Sequence, residues 1–160
     1  MPNSDQKNCI TPLNLPPRRL DLRLNATGKI EIFDTLRRRW LILTPEEWVR
    51  QHVVAHLIGD RGYPPHFMAN EVGIELNGLH RRCDSVVWNR ADGAPLMIIE
   101  YKAPSVSITR KVFDQIVRYN MVLRAPYLIV SNGLTHYCCK VDCEAGTYAF
   151  LPDIPDYSSL

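Results

Sequence analysis

Three side chains close together in the chain raise a question of chemistry. The segment "LMIIEYKAP", Leu96 to Pro104, fills a run with Leu, Met and two Ile and then sets Glu100 and Lys102 on either side of Tyr101. On a strand, residues two apart share a face, with Cα atoms about 6.6 Å apart at ~3.3 Å per residue, so a carboxylate and an ammonium fall on one side. Asp84 heads the preceding strand, and the turn "RADGAP" folds the two strands antiparallel, which carries Asp84 toward Glu100 across the ladder. Two hard oxygen ligands suit Mg2+ or Mn2+, whose remaining shell is completed by water and phosphate oxygens. Such a centre polarises a phosphodiester and activates a water, with Lys102 placed to orient that water or balance developing charge.

An isolated E-x-K on a solvated face is an ion pair of little consequence. Here the apolar run implies burial on both faces, where charges need partners, and Ala103-Pro104 ends the strand directly after the lysine. These features favour a site over a surface pair.

The elements that must position these groups follow from local pattern. Residues 1–19 are rich in Pro and Asn without periodicity and read as an extended lead-in. "LDLRLNATGKIEIFD" alternates around an Asn-Ala-Thr-Gly turn, giving a hairpin within 20–43, with "RRRWLIL" leading out of it. In "TPEEWVRQHVVAHLIGDRG", Thr44 caps a helix, Pro45 takes its first position, and Gly59 or Gly62 ends it. "ANEVGIELN", "RRCDSVVWN" and "LMIIEYK" form three successive strands, and Ile108 to Leu123 turns to helical period through Val112, Phe113, Ile116, Val117, Asn120 and Leu123. "PYLIVSNG" reads as a strand buried on both faces, and "HYCCKVDCEAGTYAFLP" as a final hairpin. The expected fold is α/β, a mixed central sheet flanked by helices: one domain over 20–160, with a core at 44–141 and a C-terminal hairpin and tail at 142–160.

On these residues the chain resembles a known family. Asp84, then Glu100-Tyr-Lys102 at the end of an apolar strand, then a helix carrying Gln115 and Tyr119, looks like the PD-(D/E)XK nuclease superfamily with its restriction-endonuclease-like fold. More narrowly, "LTPEEWVRQHVVAHLI", "GLHRRCDSVVW", "PLMIIEYKAP", "DQIVRYN" and "APYLIVSNG", in this order over about Leu43 to Val141, resemble the N-terminal nuclease domain of the restriction subunit of Type I restriction enzymes. The resemblance implies that Asp84 and Glu100 ligate Mg2+ or Mn2+, that Lys102 is the catalytic lysine, and that Gln115 and Tyr119 form the Q-x-x-x-Y motif. An acidic residue on the first helix belongs to the same pattern. Glu47 is the candidate, although Thr44 and Glu47 also fit a capping box that would occupy its carboxylate locally. Cys83 stands where the superfamily's name has Pro.

The implied activity is a magnesium-dependent deoxyribonuclease in a restriction or DNA-processing system, an endonuclease rather than an exonuclease. The alternative is a catalytically silent DNA-binding or assembly module docking on a separate helicase or restriction complex. No G-x-x-x-x-G-K-[ST] loop occurs in the 160 residues, so ATP-driven translocation is not expected of this chain.

Composition narrows the partners. A net charge of +2 provides no global field, so contacts with DNA must come from local clusters. Arg81 and Arg82 before Asp84, with Arg110, Lys111 and Arg118 on the second helix, are the candidates for phosphate contacts. No long apolar run or signal-like N-terminus is present, and the expectation is a cytoplasmic protein without membrane contact, with homodimerisation left open. The five cysteines form no CxxC pair, and strand alternation sends Cys138 and Cys139 to opposite faces, against a disulfide framework or a zinc site.

Overall fold

A computed structural model describes residue 6 and residues 9–160 of the chain; the remainder of the expected lead-in lies outside the described residues. Three short strands, β1 (Leu22–Leu24), β2 (Ile30–Asp34) and β3 (Arg39–Ile42), form an antiparallel sheet in the order β1-β2-β3. This enlarges the expected hairpin. "RWLI" is a third strand rather than a lead-out, registered by Ile32 opposite Leu41 and Phe33 opposite Trp40, whose rings meet edge-on at 5.3 Å.

Helix α1 (Pro45–Asp60) starts as its residues dictate: the Thr44 hydroxyl accepts from the Glu47 backbone N–H at 3.1 Å, and Pro45 occupies the first turn, where no donor is required. Gly62, at φ +70°, supplies the left-handed residue just beyond its end.

The main sheet has six strands in sequence order: β4 (Met68–Leu76), β5 (Leu79–Trp88), β6 (Pro95–Tyr101), β7 (Tyr127–Ser131), β8 (His136–Asp142) and β9 (Thr147–Phe150). All neighbours are antiparallel except β6 and β7, which run parallel through a crossover containing α2 (Arg110–Met121). Parity divides the core. Met97, Ile99 and Tyr101 pack with Val49, Val53 and Leu57 of α1, while Ile98 packs with Phe113 and Val117 of α2. Cys138 joins the first cluster and Cys139 the second, on opposite faces as the alternation requires. The result is a mixed sheet with one helix on each face, and the apolar run of β6 is buried on both sides.

The segment ahead of β1 is tied to this sandwich. Asn14 donates its backbone N–H to the Gly133 carbonyl, Trp48 donates its indole N–H to the Thr11 carbonyl, and Arg18 pairs with Asp60. Residues 11–18 are therefore docked along α1. No helix among the described residues is long and apolar enough to cross a membrane.

Candidate active site

The site lies where β5 and β6 separate. The turn after β5 closes with Asn89 and Ala94 bonded through the backbone and Gly93 at φ +69°, which fixes the register Val87 to Met97, Val86 to Ile98 and Ser85 to Ile99. The next pair in that register is Asp84 and Glu100. Here the ladder opens, and the Asp84 Oδ2 accepts the Tyr101 backbone N–H at 2.9 Å, a bond that a strand carbonyl would otherwise take. Asp84 is thus the sixth residue of β5 rather than its head, and it sits at a fork.

Glu100 is 8% exposed. Burial first, then the charge and hydrogen bond of Asp84, push its carboxyl up to about 7 against the pull of Arg81. The two carboxyl groups therefore meet across the strands. Lys102 follows β6 directly, half-buried, with its backbone N–H on the Ser131 carbonyl at the end of β7. Among the described residues its ammonium enters no ion pair within 4.0 Å.

The raised carboxyl has a consequence for stability. Unfolded, Glu100 releases its proton near ~4.3, whereas in the fold it holds the proton until about 7. The native state binds more protons in that window, so the stabilisation is complete below ~4.3 and is lost as pH rises through about 7. Thermal unfolding in a chelator should show the wild-type melting temperature falling relative to Glu100→Gln over this window. Parallel pH curves for the two proteins would contradict the assignment.

The structure separates the remaining candidates. Glu47 is buried, with Oε1 accepting from Gln51 Nε2 at 2.8 Å and Arg37 Nη2 at 3.1 Å, and with Arg50 Nε at 3.6 Å. Thr44 makes its half of the capping box, but this carboxylate turns to the arginines. Among the described residues no three His, Cys, Asp or Glu side chains form a group able to hold a metal ion, so Glu47 does not complete a trio with Asp84 and Glu100. Gln115 and Tyr119 lie on the exposed side of α2, bordering a shallow groove with Arg110, Lys111 and Arg118. Arg82 is exposed and pairs with Glu71 at 2.5 Å. Arg81, by contrast, is drawn inward: its Nη2 lies 2.5 Å from Glu100 Oε1 and its Cζ 3.6 Å from the centroid of the Tyr119 ring.

A buried polar network under the fork escapes sequence reading. Arg50 donates to Glu71 at 2.5 Å and to the Asp84 carbonyl at 3.2 Å, and its guanidinium lies over the Tyr101 ring. The Tyr101 hydroxyl meets Ser85 Oγ, which donates to Asn70, which in turn donates to Asp34. Burial alone would raise the Asp34 carboxyl, but bonds from the Arg37 backbone, Asn70 and the Arg37 guanidinium hold it below the ordinary carboxylate range. The only local signal was Glu71, a carboxylate inside the alternating strand "ANEVGIEL"; its φ of +56° lies in the left-handed region and sets it off the regular pleat.

A mixed sheet with a helix on each face and an acidic fork at the end of its central strands defines a restriction-endonuclease-like α/β protein. The chain belongs to the Type I restriction enzyme R protein N terminus family (HSDR_N), which matches residues 45–155. The match runs from α1 through the C-terminal hairpin and leaves the β1-β2-β3 sheet outside it. No curated protein matches the chain.

Proposed function

We propose that this chain is a metal-dependent DNA phosphodiesterase of the PD-(D/E)XK type, serving a restriction system with DNA and other parts of the restriction complex as its partners. The observation that carries the reading is the juxtaposition of Asp84 and Glu100 across the β5/β6 fork, with Lys102 two residues beyond Glu100.

The residues fit a divalent cation. Two carboxylates forced together in a nearly buried place repel each other, and a hard cation with oxygen ligands relieves that repulsion. Asp84 and Glu100 would hold Mg2+ or Mn2+, which supplies Lewis-acid stabilisation and an acidified water. The chain's own groups do the rest. The Tyr101 N–H fixes the Asp84 carboxylate, the Ser131 carbonyl holds the backbone that carries Lys102, and the unpaired Lys102 ammonium is free to contact a scissile phosphate or the attacking water. Lys111 and Arg118 on α2, with Arg110 near its start, provide exposed charge for the DNA backbone.

The test is incubation of the purified chain with covalently closed circular, linear and single-stranded DNA, with and without Mg2+ or Mn2+. The expected result is metal-dependent nicking or linearisation of the circle, which only an endonuclease can produce. DNA binding without cleavage of any of the three would identify a silent binding module instead.

A further inference from the structure

Arg81 was expected on the DNA-contacting surface, yet its side chain is about nine-tenths buried and its guanidinium is occupied with Glu100. Three observations make this position unusual. Its Nη2 takes Glu100 Oε1 at 2.5 Å, the carboxylate that the proposed reading gives to the metal. Its plane rests on Tyr119, which is itself 44% exposed and so presents its other face to solvent. Its Nε is buried without any hydrogen-bond partner, so the fork geometry that makes an arginine bind a carboxylate twice is not achieved. A guanidinium held by one carboxylate oxygen, a ring face and the Cys83 thiol, with its Nε stranded, is a counter-ion kept in place chiefly by the charge it neutralises.

We propose that Arg81 is the resident counter-ion of the Asp84/Glu100 pair and must withdraw before a divalent cation can bind there. DNA then promotes metal loading by drawing Arg81 to a backbone phosphate. The inference rests on the metal-dependent reading above. A dication and a guanidinium on the same Glu100 carboxylate repel each other at close range, so each weakens the other's hold on it. The route out is short. Tyr119 lies on the same exposed side of α2 as Lys111 and Arg118, and an arginine sliding off its ring enters the field where phosphates are expected. Because one side chain serves either Glu100 or DNA, each ligand favours the other, and linkage makes that coupling reciprocal.

The experiment measures Mn2+ binding to the full chain by titration calorimetry, first alone and then with a short phosphorothioate duplex that resists cleavage. Arg81→Met should bind Mn2+ roughly five- to tenfold more tightly than wild type without DNA. The duplex should tighten Mn2+ binding to wild type by a similar factor and change that of Arg81→Met little. If loss of the Glu100 partner prevents Arg81→Met from folding, Tyr119→Leu removes only the half-exposed ring on which the guanidinium rests and should shift Mn2+ affinity in the same direction by less. Unchanged or weaker Mn2+ binding in the folded variants overturns the counter-ion role while the metal site stands. Absence of Mn2+ binding in wild type and variants alike overturns the metal site together with it.

Discussion

Asp84→Asn is expected to lower DNA cleavage by ~10³-fold or more, with no loss of thermal stability. The asparagine retains an oxygen to accept the Tyr101 N–H, so the fork keeps its shape, and it removes the negative charge that faces Glu100. Under the proposed reading it loses half of the anionic ligand set, whose value exists only with a cation and a phosphate in place. Lys102→Ala should fall as steeply for a different reason. The lysine is half-buried and enters no ion pair among the described residues, so its removal leaves no carboxylate stranded and costs the fold little, yet takes away the ammonium that the proposed reading gives to the reaction. Nicking of supercoiled DNA at saturating Mg2+ measures both effects, with duplex affinity as the control that separates chemistry from binding. Cleavage by either variant within about tenfold of the parent would remove that residue from the reaction.

The contrast between these residues and their neighbours shows what a sequence can and cannot convey. The Asp84 to Glu100 juxtaposition was legible because it depends on near-neighbour rules: a tight turn with Gly93 sets the register, and strand alternation sets the face. Helix α1 was legible through Thr44 and Pro45, and the double-sided burial of β6 through its unbroken apolar run. The fate of Glu47 was not legible. A Thr followed three residues later by a Glu is the local signature of a reciprocal cap, but Arg37 reaches Glu47 only because the three-stranded sheet packs beside the start of α1. β3 itself was hidden for a related reason: four residues give too little alternation to register, and Trp40 finds its partner Phe33 only after pairing. Arg81 read as a basic residue beside the acids and a candidate for phosphate contact, and in the structure it pairs with Glu100. It lies against the Tyr119 ring, thirty-eight positions later on the helix of the β6–β7 crossover, a contact that no local pattern conveys.

Arg50→Met should destabilise the protein by about 3–5 kcal/mol, the largest stability effect expected of a single substitution in this polar network. Arg50 is 6% exposed, pairs with the Glu47 carboxylate at 3.6 Å and hydrogen-bonds both Glu71 and the Asp84 carbonyl. Methionine restores most of the volume but none of the charge, leaving carboxylates in a desolvated place. Arg37 and Arg82 still serve Glu47 and Glu71 from the other side, which keeps the loss at the scale of one broken pair rather than two. Arg50→Lys retains the charge and loses the fork, since an ammonium cannot span Glu71 and the Asp84 carbonyl together, so an intermediate loss is expected. Urea denaturation at neutral pH measures both, and a shift below ~1 kcal/mol for the methionine variant would show the network to be electrostatically slack. Because the Asp84 carbonyl is one of the Arg50 acceptors, the same substitution should reduce cleavage beyond the fraction of unfolded protein. That residual loss, measured on the folded population at low temperature, tests whether the buried arginine holds the acidic fork in register.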